Sequence, residues 1–316
     1  MEDGHQETAP TTRIAVRLPG RSPRARATER VIQGFLTLTL LSVIIPVLLI
    51  IFFLATKGAP ALNWAFITQD PAMRMTAGGI RPAILGTLYL VTLTTLLAVP
   101  IGVMAAVYLT EYARQNALTR AIRLAIINLA GVPSVVYGLF GLGLFVYFMN
   151  FGTSLLAGAC TMAVLVLPLI ITASEEALLT VPAAFREASL ALGVSKWQTI
   201  WRVVLPTAMP GILTGIILAV ARAAGETAPL LFTCVAFYLF SPHEAFSWLH
   251  VPAQVHDALF NQIMALPYHL YTISTQVPKA PDTVKWGTAL VLLILVLGMN
   301  LIAILLRSYL RRARRW

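Results

Sequence analysis

Arg222 and Glu226 are the only charged residues inside the long apolar stretches of this chain, and they stand four residues apart. Arginine presents a planar fork of N–H donors that fits a carboxylate or a tetrahedral oxyanion. A carboxylate one helical turn away can hold that fork, or compete for it and so release what it has bound. Either charge in hydrocarbon costs at least about 2.5 kcal/mol, so such residues face a bundle interior or an aqueous cavity. Two readings follow. The pair is an ion bridge that fixes helix register, or Arg222, Glu226 and the adjacent Thr227 line the path of an anion. One guanidinium cannot neutralise a divalent anion, so the second reading requires a further basic group from a partner chain.

The element that positions the pair is predicted from composition. Of 316 residues 58% are hydrophobic and 11% charged, against about 25% charged in a soluble domain. A bilayer core of about 30 Å takes about 20 apolar residues in a helix. Six stretches qualify, roughly 31–55, 83–109, 124–148, 153–174, 209–233 and 286–306. Backbone groups in hydrocarbon must be satisfied within their own segment, so the prediction is an all-α membrane protein of six transmembrane helices. In the fifth, Gly211, Gly215, Ala219 and Ala223 form a small-residue row that shares a sector with Arg222, Gly225 and Glu226, while Leu213, Ile217 and Val220 lie opposite. Small residues permit close helix approach, to a neighbour in this chain or in a second subunit.

Charge bias sets orientation. Seventeen Lys and Arg fall on the side of the two termini and only five on the other, which puts both termini in the cytoplasm. The net charge of +10 sits beside apolar spans and not on a soluble face, so it marks topology and not a nucleic-acid partner. Residues 1–30 are polar and Arg-rich and read as a disordered cytoplasmic tail ahead of a first span over 31–57; a core follows over 78–308, with a basic cytoplasmic C-terminus at 309–316. Cys160 and Cys234 read as small buried hydrophobes. His243, His250, His256 and His269 occupy the long loop 234–285 at spacings that fit no metal site and read as scattered surface histidines. Tyr137, Gly138, Gly141 and Gly143 read as close packing in the third span.

The loop of about 175–208 is too apolar for a linker. Thr180 and Pro182 open a helix over AFREASLAL, Gly193 ends it, and Ser195 to Gln198 is a capping-box pattern that starts a second short helix running toward Leu205 and Pro206. Leu190, Leu192, Trp197 and Trp201 then lie on a cytoplasmic loop and need burial, against a protein partner or against the chain's own bundle.

These residues carry a resemblance. Glu187-Ala188-Ser189, three residues, Gly193, nine residues and Val203-Val204-Leu205-Pro206 resemble the EAA loop of ABC importer permeases, with Ser189 and Val203 as departures. The stretch Arg222-Ala-Ala-Gly-Glu226-Thr-Ala-Pro-Leu-Leu-Phe232-Thr is similar to the fifth-span signature of the PstA-type phosphate permease family, as are the segments at 78–87, 133–141 and 266–271. Relatives often carry an arginine where this chain has Thr172. The resemblance implies a type I ABC importer permease fold in a bacterial inner membrane. It implies a docking loop (Glu187, Ala188, Ser189, Gly193, Leu205, Pro206) and these partners: a PstC-type second permease, a PstB-type ATPase dimer and a PstS-type phosphate-binding protein. The chain contains no GxxxxGK[ST] sequence, so ATP and magnesium are expected on the separate ATPase, with no cofactor in this chain. A permease for another oxyanion or polar solute is the alternative. A membrane enzyme has no nucleophile–base pair or metal-ligand cluster to rest on, and a scaffold would leave Arg222 and Glu226 dispensable.

Overall fold

The computed structural model describes residues 23–72, 75–236 and 257–312. The chain divides between Phe53 and Leu54 into two units. The first is carried by α1 (Pro23–Gly58), which has Pro46 inside it. Within the stretch read as a tail through residue 30, helix runs from Pro23, a residue suited to a first turn. The hydroxyls of Thr37, Thr39 and Ser42 donate to carbonyls of the preceding turn at 2.8–2.9 Å, which satisfies them in an otherwise apolar helix.

The second unit contains α2 (Trp64–Thr68), a hairpin of β1 (Pro71–Ala72) and β2 (Ala77–Gly78), and then α3 (Arg81–Val107). Next come α4 (Ala117–Ala130), α5 (Ser134–Gly141), α6 (Leu155–Leu179), α7 (Ala183–Ala191) and α8 (Lys196–Thr199). The remaining helices are α9 (Leu205–Gly225), α10 (Ala228–Thr233), α11 (Leu266–Thr275) and α12 (Asp282–Arg312). Wider π turns follow α3 (Tyr108–Tyr112) and α5 (Leu142–Phe148), and one joins α8 to α9 (Ile200–Val204).

Among the described residues five helices are long and apolar enough to cross a membrane. The sixth candidate is not the single span expected over 124–148. It is a pair, Ala117–Ala130 and Ser134–Phe148, bent by 104°. Pro133 explains the bend: it has no N–H to donate, and it drives the preceding Val132 away from helical geometry. The Tyr137 hydroxyl spans the corner, donating to the Leu129 carbonyl at 2.8 Å.

α6 is the centre of the bundle, with most of its side chains buried against α3, α5 and α9. Contacts there are made at glycines. A Cβ on Gly102 would fall 2.6 Å from Ile170, and one on Gly211 2.6 Å from Ala177. Gly215 sits as tightly on Ala173. The small-residue row of the fifth span therefore meets α6 of its own chain, not a second subunit, and its end at Ala219 and Ala223 enters the main core cluster. Gly138 and Gly141 are close-packed as expected, against Pro229 and Thr161, whereas a Cβ on Gly143 would meet nothing within 4 Å. Cys234 is buried and Cys160 half-buried.

At the end of the bundle where α3 begins, α2 and α11 cover a separate cluster around Phe66, Met264, Leu266 and Ile273. The backbone N–H of Leu266 donates to the Thr87 hydroxyl at 2.8 Å, fixing α11 on α3. His269 is not a surface residue. It is 2% exposed, because α11 lays this face inward between apolar residues. Burial holds its pKa down at about 4, so its ring is neutral. His243, His250 and His256 lie outside the described residues.

Candidate functional site

The fifth span is interrupted where its charges sit. α9 ends at Gly225; Glu226 is extended (φ −74°, ψ 138°), Thr227 turns (φ −118°, ψ −43°), and α10 starts again at Ala228 with Pro229 in its first turn. Arg222 thus occupies the last turn of α9 and Glu226 its C-cap, not a helix interior. The two meet as expected, through a single contact from Arg222 Nε to Glu226 Oε1 at 3.4 Å. That is long for a charge-assisted bond, which is ordinarily about 2.7–2.9 Å. The side chains keep 34% and 19% of their surface exposed, and no other hydrogen bond of Arg222 occurs among the described residues. An ion bridge fixing register would be short and forked. This one leaves most of the guanidinium's donors open.

Thr227 lines a cavity of about 280 Å³ with Ala228, Leu231, Tyr268 and Tyr271, so the break opens beneath two tyrosines of α11. The sequence marked these two only as members of the family-like segment 266–271, with no role in the path. A second cavity, of about 230 Å³, lies at the opposite end of α6 and is lined by Arg123, Thr172, Glu175 and Glu176 among others. The Thr172 hydroxyl turns back to the Pro168 carbonyl at 2.9 Å. The basic group there is Arg123, paired with Glu175 at 2.8 Å.

The loop between α6 and α9 follows the sequence in its turns and departs from it in extent. Pro182 is the N-cap of α7. Gly193 has φ +77°, a left-handed conformation that suits glycine and stops the helix. Ser195 and Gln198 form the capping box reciprocally. The helix they start does not end near Pro206, however. Lys196 to Gly225 is one continuous run, with the π turn at Ile200–Val204 placed just ahead of a residue that cannot donate an N–H. α8 is therefore the lower end of the fifth span.

Of the six loop residues, Glu187, Ala188 and Gly193 are exposed, Pro206 is half-buried, and Ser189 and Leu205 face inward. The Ser189 hydroxyl meets that of Thr199 at 2.9 Å, tying α7 to α8 where the family pattern has alanine. Leu205 packs in the lower core cluster. The chain's own bundle does not cover the apolar residues singled out in the sequence: Leu192 is 84% exposed, and Leu190, Trp197 and Trp201 are about half exposed, as is Phe185. The two indoles stack edge-to-face at 5.6 Å.

Glu111 was missed in the sequence. It lies in the π turn after α3 and accepts from Arg186 of α7, from Nη2 at 2.8 Å and Nε at 3.1 Å. Arg186 also donates to the Val181 and Leu178 carbonyls at 2.7 and 3.0 Å. The signal was available: Glu111 is a lone acid at the end of an apolar run, on the side where arginines gather.

A family model described as "Binding-protein-dependent transport system inner membrane component" matches residues 98–316. The phosphate transport system permease protein PstA 1 of Mycobacterium tuberculosis is 36% identical over 296 residues, covering 92% of this chain and 91% of that protein. PstA of Haemophilus influenzae is 35% identical over 252 residues (80% and 84%), and the probable ABC transporter permease protein YqgI of Bacillus subtilis 35% over 259 residues (79% and 85%). A bacterial alginate ABC transporter chain superposes with TM-score 0.60 at 13% identity (89% of this chain, 94% of that one), and a chain of the inward-facing MetNI methionine transporter with TM-score 0.54 at 17% (72% and 94%).

Proposed function

The chain belongs to the family of binding-protein-dependent transport system inner membrane components, and we propose that within it this protein is the permease subunit of an ATP-driven phosphate importer. Its fold is that of type I ABC importer permeases. The observation that carries the substrate is the likeness to phosphate permeases across nine-tenths of the chain. The geometry of the fifth span supports it. An oxyanion reaching the break at Glu226–Thr227 would meet the open donors of Arg222, with Glu226 able to reclaim the fork as the ion leaves. Glu226 and Thr227 share the path in this reading. A further cation comes from the second permease, because phosphate carries more than one negative charge at neutral pH.

The partners are a PstC-type permease, two PstB-type ATPases that bind ATP and magnesium, and a PstS-type binding protein on the far side. Both termini lie in the cytoplasm, on the side holding seventeen of the Lys and Arg residues. The ATPase docks on α7 and the start of α8. Glu187, Ala188 and Gly193 meet it directly, and Ser189, Leu205 and Pro206 hold the loop's shape. Phe185, Leu190, Leu192, Trp197 and Trp201 supply the apolar area that a partner would bury.

Phosphate uptake in proteoliposomes carrying the four-component complex tests the reading. Arg222→Gln should lower uptake about tenfold to a hundredfold, the loss of a charge-assisted bond or two, with the complex still assembled. Unchanged uptake would remove Arg222 from the path. Gly193→Leu strains the left-handed turn by about 1–2 kcal/mol, and an added Cβ meets nothing within 4 Å. Reduced co-purification of the ATPase is expected, and undiminished binding would count against docking at this loop.

A further inference from the structure

An arginine that fastens three helix ends at once is placed to do more than stabilise them. The guanidinium of Arg186 extends from α7 and spends its donors on two other elements. Nε and Nη2 take the Glu111 carboxylate beyond α3, Nη1 takes the Val181 carbonyl, and Nη2 also takes the Leu178 carbonyl in the last turn of α6. The pair is largely shielded from water, with side-chain exposures of 24% for Arg186 and 9% for Glu111. A planar fork with fixed donor directions resists being rotated out of such a set, unlike a single contact on a flexible stem.

Two further cations converge on the same turn. Lys196 of α8 donates from Nζ to the Glu111 carbonyl and stands 4.8 Å from the centre of the Tyr112 ring. Arg123 of α4 donates to the Leu109 carbonyl at 2.9 Å while pairing with Glu175 of α6. The end of α3 thus collects a basic group from each of α4, α7 and α8, where a helix C-terminus favours positive charge. The wide π turn at Tyr108–Tyr112 presents its carbonyls to these side chains.

We propose that Glu111 and Arg186 form the joint through which movement of the docking helix α7 is passed to α3 and α6, alongside the continuous helical path from α8 into α9. This rests on the reading that α7 docks the ATPase. A push on α7 reaches the fifth span through the chain itself. It reaches α6 through the short link at Thr180–Pro182 and through the packing of α9 on α6, whereas the Arg186 fork alone ties α7 directly to the end of α3 and the last turn of α6 together. Arg186 and Glu111 are therefore positioning residues, acting on the transport path through the helices they hold.

The test is the number of phosphates imported per ATP hydrolysed by the complete importer in proteoliposomes. Glu111→Gln keeps the size of the side chain and removes its charge. ATPase co-purification and hydrolysis should persist while the ratio falls about fivefold, within the range by which coupling residues act. Arg186→Lys keeps the charge and loses the fork, and should lower the ratio by a smaller factor, about twofold to threefold. A ratio equal to wild type in both variants, whether the two rates hold or fall together, would overturn the joint and leave a fastening. Should Glu111→Gln fail to assemble, Arg186→Lys decides by the same ratio. A wild-type complex that hydrolyses ATP without importing phosphate would count against the phosphate reading instead. The joint is then read from stimulation of hydrolysis by the binding protein, which Glu111→Gln should lower by the same factor, an unchanged stimulation again overturning it.

Discussion

Two arginines of this chain each face a glutamate, and the two pairs are built in opposite ways. Arg186 makes a forked contact to Glu111 with a shortest distance of 2.8 Å, and two backbone carbonyls take a donor each from Nη1 and Nη2. Arg222 touches Glu226 once, at 3.4 Å, from the frayed end of a helix. The first pair is richly bonded and joins helix to helix. The second is unsaturated and lies at a break in the chain beside a cavity lined by Thr227, Tyr268 and Tyr271. Charge alone does not separate a tie between helices from a path; the count of bonds already made does.

The sharpest way to break the comparison is to neutralise each arginine and ask which property falls. Arg222→Gln should cost uptake, tenfold or more, and leave the thermal midpoint of the purified chain in place. Arg186→Gln should do the reverse first: it strands a Glu111 carboxylate that is 9% exposed, at about 3 kcal/mol, and the midpoint should drop by several degrees. A midpoint that moves equally in both variants would erase the distinction. Glycines give a second contrast. At Gly215 an added Cβ runs into Ala173, so Gly215→Ala should destabilise by about 1–3 kcal/mol. At Gly225 an added Cβ meets nothing within 4 Å. Gly225→Ala should therefore leave stability unchanged or raise it by up to about 1 kcal/mol through helix propensity, while stiffening the residue before the break and slowing uptake.

The smallest effect concerns pH. His269 has a folded pKa of about 4, below the about 6.5 of an unfolded histidine. On acidification the unfolded chain takes up a proton that the fold refuses. Stability is therefore full above pH 6.5 and declines between 6.5 and 4, by up to about 3 kcal/mol. His269→Gln should flatten that slope in denaturation curves recorded at pH 7.5 and 5.0, and an unaltered slope would place the titration elsewhere.

Much of this was legible in the sequence, wherever the cause is local. Apolar run length gave the helices, Gly193 and the Ser195 capping box gave the turns of the loop, and the cost of intramembrane charge singled out Arg222 and Glu226. What escaped is non-local or depends on a single proline. The run over 124–148 was read as one span and turns at Pro133 through 104°, because run length cannot tell a bent pair from one helix. The helix begun at Ser195 was expected to stop near Pro206, but a π turn absorbs the missing N–H and the run continues. Glu111 was passed over because its partner is 75 residues away. His269 was taken for a surface residue because the face that buries it is supplied by other helices.

The glycine contacts along α6 also fix where this molecule cannot yield. At Gly102, Gly211 and Gly215 backbone lies against side chain with no clearance for a methyl group. For α3 or α9 to slide along α6, the surfaces would have to part at several points together and open voids in the core. The three helices are therefore close-packed on one another along this length. The helical run of the spans is interrupted at Gly131–Pro133 and at Glu226–Thr227, and the helices that follow these breaks, α5 and α10, pack on each other at Gly138 and Pro229. The two breaks are thus tied to one another, and one of them lies a single turn beyond Arg222.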